Sequence, residues 1–219
     1  MRVTKAKAAE NRAALVAAAF ELIQQHGFDG AGVAEISAKA GLTQGAFYSQ
    51  FPSKADLAAE ACRKAHADNI ARWEAQRGTT DDDVRGYLEL YLSECHLQDA
   101  GAGCSMAAYA GEICRQEQPV QEGFAAGVER MIGLMEEALS RRLPPAEARS
   151  RAVLLIAGMS GSLTMARATY STNPELAKEF LASALSGLHQ FAMSPQSCAP
   201  STTGKREADH VTVRKPETV

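Results

Sequence analysis

The chain has 219 residues, 46% of them hydrophobic and 22% charged, with a net charge of −3. That is enough apolar surface for a sizeable core, in one mid-sized domain or a small domain joined to a larger one. Aromatic residues make up only 6% and alanine is abundant, which disfavours sheet-rich classes. The five cysteines, an odd number without a C-x-x-C pair, exclude a disulfide framework or a zinc ribbon.

The opening MRVTKAKAAENR has no apolar h-region. The most apolar window, residues 152–166, is too short and too rich in glycine and serine to span a bilayer comfortably. A cytoplasmic protein with no membrane partner is therefore expected. Charge is unevenly spread. Residues 1–54 carry six basic against four acidic side chains, a surplus of two, so the remainder stands at −5. A basic N-terminal quarter is what a phosphate-binding surface requires, though so small a surplus decides little.

In chain order the pattern reads as helix throughout, with no strand and no internal repeat. Val16, Ala19, Phe20 and Ile23 repeat at helical spacing in a first helix that Gly27 should end. Val33, Ile36 and Ala40 form the inner face of a short second helix, stopped by Gly41. Thr43 is placed to cap a third, which carries Phe47 and Phe51 and must end near Pro52. Ser53 to Asp56 resembles a capping box opening a long helix to about Arg77, roughly 36 Å. After caps at Thr79 and Thr80, one helix carries Val84, Tyr87, Leu88, Tyr91, Leu92 and Cys95. The next carries Met106, Tyr109, Ala110 and Ile113, and another Phe124, Val128, Met131 and Met135. Pro144-Pro145 opens a helix to about Tyr170, and Asn173-Pro174-Glu175 starts the last. Residues 194–219, with three prolines and no periodicity, read as a disordered tail.

The segment AGLTQGAFYSQFPSK, residues 40–54, stands apart. Two short amphipathic helices meet at a sharp turn, for which Gly41 supplies the left-handed conformation. Gly45 costs the second helix stability but permits close approach by another surface. Gln44 and Gln50 can bond base edges, Tyr48 can reach a phosphate, and Lys54 sits at a helix N-terminus that also attracts anions. These are the parts of a helix-turn-helix whose second helix enters the major groove. On pattern alone an αα-hairpin that merely packs is equally acceptable.

The segment resembles the DNA-binding signature of the tetracycline-repressor (TetR) family. Ala40, Gly41, Leu42, Thr43, Gly45, Phe47, Tyr48, Phe51, Ser53 and Lys54 occupy its positions. The helix before it and the turn at Gly27-Phe28 are similar too, so the likeness covers residues 10–60. Ala31-Gly32 departs from the Thr or Ser often found before the second helix, and one anchoring contact is in doubt. The resemblance implies an all-α fold. It divides into a helix-turn-helix DNA-binding domain (1–53), a connecting helix (54–77), a ligand-binding and dimerisation domain (78–193) and the tail (194–219). It implies Thr43, Gln44, Gly45, Tyr48, Gln50 and Lys54 at double-stranded DNA with a near-palindromic operator. It also implies a homodimer through the last two helices, residues 147–170 and 174–192, where Gly158, Ser160, Gly161 and Ser162 allow close approach.

A small-molecule effector would enter a cavity lined from Tyr87, Tyr91, Cys104, Met106, Tyr109, Phe124, Met131 and Met159, each of which could equally be plain core. The long helix 54–77 would be the lever that releases DNA. Cys104 follows Gly103 at a helix start, where a thiol gains reactivity. Gly103, Cys104, Ala110 and Glu112 resemble a branch of the family in which some members sense electrophiles or oxidants. Cys104 and Cys114 would lie roughly 15 Å apart on one helix, too far for a disulfide. The bland reading of Cys104 is a small buried hydrophobe.

Cys62 and His66 share a helix face, but no further ligand is visible, so neither metal nor cofactor is expected. No phosphate loop, G-x-S-x-G or H-E-x-x-H is present, and no enzyme activity is expected. Two other classes compete: a helical small-molecule-binding protein or enzyme using the C-terminal cavity, and a helical interaction protein that dimerises without DNA.

Overall fold

A computed structural model describes residues 4–78, 82–99 and 103–194. The described residues form ten helices and no strand. The expected caps at Thr79 and Thr80, and the expected tail beyond Ser194, lie outside them.

Helix α1 (Lys5–Gly30) buries Leu15, Ala19, Leu22 and Ile23 on one face. It does not stop at Gly27 but turns there, with φ 72° and ψ 179°, and resumes briefly through Phe28. Helices α2 (Val33–Lys39) and α3 (Gln44–Tyr48) flank Gly41, which takes φ +69°. The Thr43 hydroxyl caps α3 by accepting the Ala46 N–H at 3.2 Å. Ser53 caps α4 (Lys54–Gln76), accepting the Asp56 N–H at 3.1 Å while donating its hydroxyl proton to the Asp56 carboxylate at 2.7 Å.

The expected single helix over Val84 to Cys95 is two: α5 (Asp83–Tyr91) and α6 (Glu94–Gln98). Ser93 causes the break, because its hydroxyl takes the His96 N–H at 3.2 Å. The His96 ring in turn satisfies the Tyr91 carbonyl at 2.7 Å. Then come α7 (Ser105–Ile113), α8 (Gln118–Leu139), α9 (Pro145–Tyr170) and α10 (Pro174–Met193). Asn173 caps α10, accepting the Leu176 N–H at 3.1 Å.

Two apolar clusters result. One, around Leu88, Met131, Met135, Leu155, Met159 and Leu163, holds the C-terminal helices together. The other is built on α1 to α4 around Phe28, Phe47, Phe51 and Leu57. It also draws in Tyr109 and Ile113 from α7 and Val120 from α8, so the N-terminal core is completed by residues about fifty positions further along. Helix α9 is long and apolar enough to cross a membrane by length and composition. Here it packs between α8 and α10 and still leaves Val153, Leu154 and Met165 exposed. Gly158 serves the single chain, since a Cβ there would meet Leu188 of α10 at 2.7 Å. Gly161 faces open space.

Candidate DNA-binding and effector sites

The surface of α3 divides sharply. Phe47 is fully buried and stacks edge-on with Tyr48 at 5.0 Å, yet Tyr48 is 63% exposed. Beside it Thr43, Gln44 and Gly45 are exposed, and no neighbour other than the Thr43 hydroxyl comes within 4 Å of a Cβ built on Gly45. Gln50 is half-buried at the exit of the helix. Its carbonyl accepts Arg12 Nη1 from α1 at 2.5 Å. Arg12 also pairs with Glu60 and lies over the Phe51 ring at 4.0 Å. Lys54 is differently occupied from the expectation. Its Nζ donates to the Phe28 carbonyl at 2.5 Å, tying the start of α4 to the kinked end of α1. It braces the two helices.

Of the eight expected effector residues, Tyr87 and Tyr91 line a cleft of about 170 Å³. Its other walls went unread in the sequence: Asn69 and Arg72 of α4, Leu90 of α5, and Ser93, Cys95, His96 and Asp99 around α6. Polar residues three apart at Asn69 and Arg72, just before the buried Trp73, were the available signal. Burial pushes the Tyr87 and Tyr91 phenols up, so both stay neutral. Burial also lowers His96 from its usual 6.5 to about 4. It is a neutral ring, its Nδ1–H on the Tyr91 carbonyl and its Nε2 accepting the Cys104 N–H at 3.0 Å. Cys104 has no exposed surface, and its sulfur accepts Asn69 Nδ2 at 3.3 Å. The thiol therefore sits one side chain behind the cleft wall.

The other expected residues lie elsewhere. Met106 and Tyr109 border a shallow groove between α7 and α9. Phe124 packs on His66 at 5.3 Å. Met131 and Met159 are core. Burial keeps the Cys62 thiol protonated, raised to about 11, and the His66 ring neutral, lowered to about 4. Among the described residues no group of three or more His, Cys, Asp or Glu could hold a metal.

A capped, solvent-facing short helix after a glycine turn, packed against a larger helical body that carries a cleft, is the arrangement of a helix-turn-helix regulator. Residues 15–61 match the family model for bacterial regulatory proteins of the tetR family. Residues 82–177 match that for the LmrA/YxaF-like transcriptional regulator C-terminal domain. The chain is 24% identical over 134 residues to the HTH-type transcriptional repressor NemR of Escherichia coli K12, covering 59% of this chain and 67% of that protein. The crystal structure of reduced E. coli NemR superposes with a TM-score of 0.67 at 21% identity, covering 81% of this chain and 94% of NemR. A TetR regulator from Chloroflexus aurantiacus gives 0.71 at 22% identity, covering 85% and 96%. The chain belongs to the TetR family of transcriptional regulators. It is a ligand-responsive DNA-binding regulator.

Proposed function

We propose that this protein is a repressor. Two copies hold a near-palindromic operator, and a small molecule entering the α4–α5–α6 cleft releases it. The observation that carries the reading is Tyr48, a large aromatic left in solvent beside the open Gly45 on a helix whose other aromatic is fully buried. The ring offers its hydroxyl and apolar body to an approaching surface, and the bare Gly45 one turn before it lets that surface come close. Thr43, Gln44 and Gly45 are exposed beside it, Gln50 follows at the exit of the helix, and Lys54 becomes a phosphate contact if its bond to Phe28 is exchanged. The activity is binding rather than turnover, and a regulator that must meet DNA works in the cytoplasm.

The dimer forms through α9 and α10. The exposed Val153, Leu154 and Met165 and the uncovered Gly161 on α9 support this. A two-fold arrangement then presents two α3 helices to an inverted repeat. For a thiol-reactive effector, Cys95 is the thiol first met, because it is exposed in the cleft wall while Cys104 is covered.

The test is selection from a random duplex library at near-physiological salt, with Tyr48→Ala in parallel. Enrichment of one inverted repeat that the variant fails to enrich supports the repressor. No enrichment after refolding free of ligand ends the reading.

A further inference from the structure

The long helix α4 is the expected lever between effector and DNA. It carries Asn69 and Arg72 of the cleft and holds α1 through Glu60 and Lys54, but the contacts also supply a second connection. We propose that α7 carries the state of the cleft to α1 and so to the recognition helix, with Glu112 as its positioning residue; the inference rests on the regulator reading above.

Helix α7 is fastened to the last turn of α1 at both of its ends. At its start the Gly103 carbonyl accepts Gln24 Nε2 at 2.9 Å. At its end Glu112 Oε2 accepts the Phe28 N–H at 3.0 Å. Between them the Tyr109 ring stands edge-on to Phe28 at 5.2 Å. Gln24 and Phe28 are four residues apart and frame the kink at Gly27. The kink explains why a carboxylate is needed. With φ 72° and ψ 179° at Gly27, the Phe28 amide loses its helical partner, and a buried N–H without an acceptor is costly. Only glycine leaves room for the acceptor, because a Cβ on Gly27 would lie 2.8 Å from both Glu112 oxygens.

The start of α7 is also wired to the cleft. Its N-cap is Cys104, whose N–H rests on His96 and whose sulfur rests on Asn69, and both of those residues are cleft walls. A ligand that moves either one pulls on the end of α7. At its other end α1 grips the exit of α3 through Arg12 on the Gln50 carbonyl and over the Phe51 ring. The route from cleft to recognition helix is thus a series of direct contacts: Asn69 and His96, Cys104, α7, Gln24 and Phe28, α1, Arg12, Gln50. Two rigid helices bonded at defined points transmit a displacement that a flexible linker would absorb.

The test uses the full chain and five variants: His96→Ala, Glu112→Ala, the two combined, Gln24→Ala, and Glu112→Gln, which keeps an acceptor for Phe28. Amide hydrogen exchange is followed at residues 24–30 and 44–51. Affinity for the selected inverted repeat is measured alongside. His96→Ala should speed exchange at residues 44–51 by about tenfold and weaken the repeat by a similar factor. In the Glu112→Ala background it should add no more than about twofold. Glu112→Gln should stay near the parent protein, and Gln24→Ala, which removes the tie to the Gly103 carbonyl and lies outside the cleft, should act like His96→Ala and stands in for it if that variant does not fold. Equal effects of His96→Ala in both backgrounds, or unchanged exchange at residues 44–51, overturn the relay. The exchange readout needs no DNA, so failure to select any repeat counts against the regulator reading and not against the coupling.

Discussion

Replacing Gly27 by alanine probes the joint between the two apolar clusters. The backbone there, φ 72° and ψ 179°, lies in a region open essentially to glycine, and occupying it with a side chain costs about 1–3 kcal/mol. The new methyl would stand 2.8 Å from both oxygens of Glu112, so the carboxylate must swing away and release the Phe28 N–H. Losing a hydrogen bond to a charged group adds about 1.5–3 kcal/mol. Together Gly27→Ala should destabilise the protein by about 2.5–6 kcal/mol. Urea unfolding followed by circular dichroism measures this as a fall in midpoint at constant slope. Gly133→Ala is the control: its site on α8 is helical and open, so it should stabilise by about 0.5–1 kcal/mol. In a Glu112→Ala background the clash is gone, and Gly27→Ala should cost only the backbone share, about 1–3 kcal/mol. A loss below about 1 kcal/mol in the parent protein would refute the reasoning, because neither the strain nor the displaced carboxylate would then be real.

Three further outcomes are expected. His66 and His96, both lowered to about 4 by burial, bind protons more readily in the unfolded chain. Their depressed values leave stability intact above about pH 6.5 and erode it as pH falls from 6.5 towards 4, by roughly 3 kcal/mol for His66. Urea titrations across that range should show the loss, and His66→Leu should remove the His66 share of it. Gly127 packs on the His66 ring so closely that an added Cβ would sit 2.0 Å from Cγ. Gly127→Ala should therefore lower thermal stability by at least about 1–3 kcal/mol, with much of the loss recovered in combination with His66→Ala. Leu154→Glu, on the exposed apolar face of α9, should leave a folded monomer in sedimentation velocity, and a dimer unaffected by it would count against that interface.

The DNA-binding segment was readable from the sequence because every device in it is local. Thr43 caps a helix three residues ahead, Ser53 does the same for the next, and Gly41 makes the turn between them. Each operates within four residues, so spacing alone reveals it. The helical periodicity of α8, α9 and α10 is equally local and was placed correctly. The split at Ser93 was missed because the apolar spacing runs on through Leu92 and Cys95, while the hydroxyl of one small residue decides the break.

The cleft and the contacts between α7 and α1 were not readable in this way. The cleft is assembled from α4, α5 and α6, so Asn69, Arg72 and His96 meet only after the chain has folded back on itself. Most of the expected pocket residues turned out to be core or groove because sequence marks a side chain as apolar but not as facing a void. The bond between Phe28 and Glu112 joins residues 84 positions apart, and its need arises from a glycine dihedral that no periodicity encodes. By itself the sequence determined most of the helices, the caps at Thr43, Ser53 and Asn173, and the glycine turn before α3, because those depend on interactions along the chain. Which helix touches which, and therefore which residues line the cleft and which meet α1, was decided by tertiary packing, where partners are chosen by shape and burial rather than by spacing.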